Sequence, residues 1–178
     1  MISKDVPNVI VTDIHSVLDF KNLNLFDYAV TTLDGYDMIK IPDLTGPGRH
    51  LRLQFADVEY GTYPNAPTID HIKQALDFYD TVTGDDSNTI LFHCYAGISR
   101  STAMAIGYLA AKHRDKLDTI MKDDLYKAFY DYVKTMRRYC YPNKLIIGYF
   151  DQLLNLDGSL YNFNKKYQLA MDDGGLIT

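Results

Sequence analysis

The sequence predicts an α/β domain in which a mainly parallel central sheet is flanked by helices. Short runs rich in Val and Ile alternate along the chain with stretches whose apolar residues recur at helical spacing. The most apolar of these runs, TILFH (89–93), leads straight into a turn and a helix, as a strand buried on both faces of a parallel sheet does. With 178 residues, 47% hydrophobic and 23% charged, the chain suits one core of ordinary globular balance. No repeat or low-complexity linker divides it. The domain is drawn over residues 1–156, leaving 157–178 as a polar, glycine-containing tail expected to be partly disordered.

The elements follow in order. VPNVIVTDI (6–14) reads as a strand and DYAVTTL (27–33) as a weaker one. DMIKIPDL (37–44) is a strand candidate limited by Pro42. TGPG (45–48) is a turn, and HLRLQF (50–55) alternates like a half-buried strand. A long loop, DVEYGTYPNAP (57–67), precedes a helix from Thr68. Thr68 caps that helix, Asp70 meets its dipole, and Ile69, Ile72, Leu76 and Tyr79 share a face. GDDSN (84–88) breaks the chain before the central strand. STAMAIGYLAAKH (101–113) is a helix of small residues suited to close packing. DDLYKAFYDYVKTMRR (123–138) carries Leu125, Phe129, Val133 and Met136 as a core stripe. PNKLIIGYFDQLL (142–154) starts on Pro142, with Leu145, Tyr149 and Leu153 on one face.

Composition excludes several classes. No run of about 18 apolar residues is present, so no membrane span is expected. The start lacks an apolar stretch and cleavage site of the secretory kind. Cys94 and Cys140 are the two cysteines, too few for a disulfide framework, which points to a reducing compartment and to the cytoplasm. A formal net charge of -5 argues against a nucleic-acid surface. It leaves room for a local anion site made of backbone amides and one arginine.

ILFHCYAGISRST (90–102) is such a site in outline. Cys94 to Arg100 is long enough to curl the amides of Tyr95, Ala96, Gly97, Ile98 and Ser99 inward, with Gly97 free to adopt angles that a Cβ penalises. The following helix adds its positive end, and Arg100 adds a bidentate fork for a phosphate. A free cysteine titrates at about 8.5, and helix N-termini with cationic neighbours lower this to roughly 3.5–7.5. A thiolate there is a ready nucleophile. The chemistry that fits is displacement on phosphorus: Cys94 attacks, a phosphocysteine forms, and water hydrolyses it. Arg100 and the loop amides hold the equatorial oxygens. This positive field requires no metal or other cofactor. Ser101 donates to the sulfur as it leaves. His93, on the strand and pointing away from Cys94, orients the loop. His93 and Cys94 are not a metal pair, because adjacent strand residues face opposite ways and no second pair exists.

HCYAGISRS resembles the signature of the cysteine-based protein tyrosine phosphatases: His, Cys, five residues, Arg, then Ser or Thr. His93, Cys94, Gly97, Arg100 and Ser101 carry the match. AGISRST looks most like the compact dual-specificity branch and its small bacterial relatives. The resemblance spans about residues 6–155 and implies the protein tyrosine phosphatase-like fold (phosphotyrosine protein phosphatase II). It does not fit the shorter cysteine loop of rhodanese-like sulfurtransferases, nor the N-terminal cysteine of low-molecular-weight phosphatases.

The resemblance further implies an aspartate on an upstream loop that protonates the leaving oxygen. Asp57 stands in that place, with Glu59 as the near alternative, while Asp70 is explained by its helix start. Tyr60 and Tyr63 flank an aryl phosphate or pack the loop. Asn143, in YPN (141–143), ties a loop or begins a helix. Cys140 reads as an ordinary cysteine, with a resolving role toward oxidised Cys94 as the lesser reading. The implied function is a tyrosine or dual-specificity protein phosphatase. The alternative is a phosphate-binding module of the same fold that has lost turnover. The loop positions around Cys94 carry no extra lysine or arginine, which favours a single phosphate on a protein over inositol lipids or RNA 5′ ends.

Overall fold

A computed structural model describes residues 7–20, 25–85, 87–117 and 122–173. Four parallel strands form the sheet in the order β1-β4-β2-β3: β1 (Asn8–Asp13), β2 (Tyr28–Leu33), β3 (His50–Gln54) and β4 (Thr89–Cys94). β4 lies between β1 and β2, so Ile90, Leu91, Phe92, His93 and Cys94 are all buried. That position explains the unbroken apolar run, since both faces of a central parallel strand meet helices.

The helices are α1 (Ile14–Phe20), α2 (Gly35–Met38), α3 (Ile69–Thr81), α4 (Arg100–Lys112), α5 (Arg114–Leu117), α6 (Lys122–Met136), α7 (Lys144–Leu153) and α8 (Ser159–Asp172). The main core lies between the sheet and α3, α4, α6 and α7. A smaller cluster on the other face joins Ile14, Val17, Ala29, Leu33, Met38, Ile41, Leu44 and Leu91. α4 runs through the middle of the larger layer and is buried from Arg100 to Ala110. Its small residues permit this, because the ring of Phe150 on α7 occupies the space that a Cβ on Gly107 would need. Thr68 caps α3 in a capping box with His71, and Ile72, Ala75 and Tyr79 face the core. Among the described residues, no helix is long and apolar enough to cross a membrane.

Four expectations are corrected. Residues 37–44 are not a strand. From the last residue of α2 onward the chain buries Met38, Ile41 and Leu44 against the smaller cluster, a spacing of three that a strand cannot present to one face. α7 begins after an Asn143 cap, not on Pro142: Asn143 Oδ1 accepts the N–H groups of Leu145 and Ile146 at 3.1 and 3.2 Å. Its deeply buried face is Ile146, Ile147 and Phe150, while Leu145, Tyr149 and Leu153 are half-buried, because α7 is apolar almost all round. The expected tail folds as α8 over 159–172. Leu160, Phe163 and Tyr167 are buried against the rest of the core. Asp151 on α7 accepts the Gly158 and Tyr161 N–H groups at 2.7 and 3.0 Å, capping α8 from a neighbouring helix.

Candidate active site

Cys94 is the last residue of β4 and Arg100 the first of α4, so the loop between them lies beyond the carboxyl end of the sheet's inner strand. Carbonyl partners outside the loop shape it. Ile14 N–H donates to Tyr95 O at 3.1 Å. Arg137 Nη2 donates to Ala96 O at 2.7 Å and its Nε to Gly97 O at 3.1 Å. Tyr141 N–H donates to Ile98 O at 3.0 Å and Asn143 N–H to Ser99 O at 3.2 Å. Carbonyls drawn outward turn the peptide N–H groups the other way. Gly97 N–H accordingly donates to Cys94 Sγ at 3.2 Å. Gly97 has φ +70, and a Cβ there would stand 2.7 Å from the Thr12 carbonyl and 2.8 Å from Arg137 Nη2.

The structure brings the expected side chains together around this loop. Cys94 is buried, with Sγ 3.2 Å from Ser101 Oγ. Arg100 is also buried. Its Nη1 donates to Phe55 O at 2.8 Å, its Nε lies 3.8 Å from Asp57 Oδ2, and Nε has no hydrogen-bond partner. A buried, unpartnered guanidinium N–H beside the loop is what an incoming oxyanion would satisfy. Asp57 accepts from Ser99 Oγ at 2.6 Å and from Asn143 Nδ2 at 2.9 Å, both on Oδ1. Glu59 is engaged elsewhere: it accepts Lys144 N–H at 3.3 Å and pairs with Lys144 Nζ at 3.4 Å, at the start of α7. Asp70 pairs with Lys73 on α3. Tyr60 and Tyr63 stand exposed on the Asp57 loop with ring centroids 6.0 Å apart. Tyr95 is half-exposed, edge-on to His15 at 6.3 Å.

His93 points away from Cys94, its Nε2 2.6 Å from Thr31 Oγ1. Burial, and then the neighbouring His50, push it down to about 3, so the ring is neutral. Cys140 is fully buried, and burial pushes its thiol up to about 12. Such a thiol stays protonated and is a poor resolving partner.

Arg137 is the residue that sequence reading missed. It holds two loop carbonyls and also Asp13 Oδ2, at 3.1 Å. Burial raises the Asp13 carboxyl, but the Ser16 N–H and the guanidinium outweigh it and leave it below the usual carboxylate range. MRRY gives no local sign of this, because the partners lie on other elements.

No family model matches the chain. Curated relatives do. Dual specificity protein phosphatase MPK-4 of Drosophila melanogaster is 26% identical over 129 residues, covering 72% of this chain and 30% of the relative. Dual specificity protein phosphatase 2 of Mus musculus is 38% identical over 85 residues, covering 48% and 23%. Human dual specificity protein phosphatase 5 is 31% identical over 111 residues, covering 62% and 25%. These relatives support a likeness of the chain to the cysteine-based protein tyrosine phosphatases of the dual-specificity-like branch.

Solved structures share the fold. The Yvh1 phosphatase domain from Chaetomium thermophilum superposes with a TM-score of 0.57 at 16% identity, covering 85% of this chain and 93% of that one. Human DUSP28 gives 0.55 at 16% identity, covering 88% and 97%. The chain spans less than a third of the length of the curated dual-specificity relatives named above. Of the residues that match the signature, His93 and Cys94 end β4, Gly97 lies in the loop, and Arg100 and Ser101 open α4.

Proposed function

We propose that this chain hydrolyses phosphomonoesters on proteins through a phosphocysteine on Cys94. The observation that carries the reading is the convergence of Cys94 Sγ, the Gly97 N–H, Ser101 Oγ, Arg100 and Asp57 on one loop. The amides of Tyr95 to Ser99 and the Arg100 fork bind the phosphate oxygens. Cys94 Sγ forms a bond to phosphorus as the ester P–O bond breaks, and Asp57 gives its proton to the departing oxygen. Water then attacks the phosphocysteine and passes a proton to Asp57. Sγ leaves as thiolate, eased by a hydrogen bond from Ser101 Oγ. The loop and Arg100 supply the positive charge the transition state needs, so the sequence of steps uses no metal ion. Asp57 is favoured over Glu59 as the acid because it touches Ser99 and Arg100, whereas Glu59 is tied to Lys144. A pure binding module has no use for a carboxylate held beside its anion site, which favours turnover over binding alone. The substrate class is a phosphorylated protein carrying phosphotyrosine, phosphoserine or phosphothreonine. Both cysteines are free, and a nucleophilic thiol keeps its reactivity in a reducing compartment such as the cytoplasm.

The test is hydrolysis of para-nitrophenyl phosphate without added metal, for wild type, Cys94→Ser and Asp57→Ala. Wild type should turn over in the presence of chelator and be blocked by vanadate. Cys94→Ser should be silent, and Asp57→Ala slower by about 10²–10⁴-fold. A folded wild type that binds vanadate without turnover overturns the proposal in favour of a binding module.

A further inference from the structure

The Pro142–Asn143 peptide is held from both sides. Its C=O accepts Gln168 Nε2 at 2.6 Å and Asn164 Nδ2 at 3.3 Å, both from α8. Its N–H donates to Ser99 O at 3.2 Å, in the loop between Cys94 and Arg100. The C=O and N–H of a trans peptide point in opposite directions, so one flat unit spans the gap between α8 and the loop. Ser99 O also accepts Thr102 Oγ1 and the Ala103 N–H, but both belong to the helix that follows it. Beside this peptide, Tyr141 N–H donates to Ile98 O at 3.0 Å. Tyr141 OH donates to the carboxylate of Asp172, the last residue of α8, at 2.9 and 3.0 Å from its two oxygens.

The donors on α8 are fixed. Leu160, Phe163 and Tyr167 anchor the helix in the core. Asn164 and Gln168 lie one turn apart and are both buried. Asn164 Oδ1 accepts Tyr130 OH from α6 at 2.8 Å, which leaves Nδ2 toward Pro142. Gln168 Oε1 has no hydrogen-bond partner among the described residues. Turning that amide end for end would set oxygen against the Pro142 oxygen, so Nε2 is the end that faces it. A buried acceptor without a donor is unfavourable, and an apolar side chain would pack α8 without it. The bond to Pro142 O is what the amide provides.

Asn143 carries the link onward. Its Nδ2 donates to Asp57 Oδ1 at 2.9 Å, the same oxygen that accepts Ser99 Oγ at 2.6 Å. The peptide that α8 holds therefore bears the side chain that holds Asp57.

We propose that Gln168 and Asn164 are positioning residues for Asp57, acting through the Pro142–Asn143 peptide and the Asn143 side chain. The inference rests on Asp57 as the acid of the phosphatase reading. Two donors on Pro142 O fix the plane of the peptide and strengthen its N–H as a donor to Ser99 O. Asn143 then presents Nδ2 to Asp57 at one place, and a small displacement of an acid slows the step it serves. By this reading α8 supports the acid as well as the core.

The test compares wild type with Gln168→Met, which keeps an unbranched side chain of similar length and removes both the donor and the unpartnered oxygen. The first readout is deuterium exchange of the Asn143 amide in the resting protein, which needs no turnover. Exchange should quicken about fivefold or more while the β4 amides keep their wild-type rates. Wild-type exchange at Asn143 overturns the inference. Equal quickening across β4 assigns Gln168 to stability alone and overturns it as well. The second readout is kcat/KM, which reports the steps up to the phosphocysteine, on two substrates. Phenyl phosphate has a poor leaving group that needs the proton, and dinitrophenyl phosphate has one that departs without it. Gln168→Met should lose about tenfold on phenyl phosphate and stay within about twofold of wild type on dinitrophenyl phosphate. Equal loss on both, or wild-type values on both, overturns the inference while leaving the phosphatase reading intact. A wild type silent on both substrates, with the exchange result as stated, overturns the phosphatase reading instead.

Discussion

Asn143 Nδ2 donates to Asp57 Oδ1 at 2.9 Å while Asn143 Oδ1 caps α7. The same Nδ2 also reaches Val58 O at 3.2 Å, and the Asn143 N–H holds Ser99 O. One buried residue thus joins the Asp57 loop, the loop between Cys94 and Arg100, and a helix start. Asn143→Ser keeps a capping oxygen and loses the reach to Asp57. We expect stability within about 1 kcal/mol of wild type, with kcat on an aryl phosphate reduced about tenfold. Urea unfolding read beside steady-state kinetics checks this, and equal loss of stability and rate would show that the cap is what matters.

Gly97 packs closely on Thr12 and Arg137 in the loop between Cys94 and Arg100. Gly97→Ala must tolerate a positive φ and a Cβ 2.7 Å from the Thr12 carbonyl. The expected outcome is a loss of about 1–3 kcal/mol in stability and at least about tenfold weaker vanadate binding. Calorimetry and vanadate inhibition measure the two. Vanadate affinity unchanged from wild type would mean that the loop re-forms around the methyl.

Arg137 holds Ala96 O and Gly97 O with separate nitrogens and reaches Asp13 with a third. Lysine offers one charge on a flexible stem in place of that fork. Arg137→Lys should weaken vanadate binding about tenfold and Arg137→Met by more, with the fold retained in both. Inhibition constants for the two variants decide it, and equal affinity in wild type and Arg137→Met would remove Arg137 from the loop's support.

His50 and His93 are depressed from 6.5 to about 4 and about 3 by burial. The unfolded chain binds these protons below its own titration point and the native state does not. Their contribution is whole above 6.5 and is lost as pH falls through that value toward the folded ones. Stability should therefore rise with pH between about 4 and 6, by about 1.4 kcal/mol per pH unit for each imidazole. Half-buried His71 and buried His113 act in the same direction. Urea midpoints at pH 7 and pH 5 test this. His50→Gln should show a shallower slope than wild type, and a midpoint independent of pH would contradict the buried neutral pair.

Much of the site was legible because its parts are local. Cys94 to Ser101 lies within eight consecutive residues, and a strand end, a glycine and a helix start shape an anion loop over that distance. Thr68 and its α3 cap were legible for the same reason. The α8 stripe of Leu160, Phe163 and Tyr167 was present too, but polar neighbours obscured a helix whose N-terminus is capped by Asp151 from α7.

The sequence by itself determined the parallel α/β plan and the placing of Cys94 and Arg100 at the two ends of one strand-to-helix loop, since both follow from patterns over a few residues. Tertiary structure alone decided what holds that loop in place. Arg137 lies 124 positions from Asp13, Asn143 lies 86 from Asp57, and His93 lies 62 from Thr31. Hydrogen bonds over such separations depend on which strands become neighbours and which helix ends meet the loop, and no local periodicity encodes that.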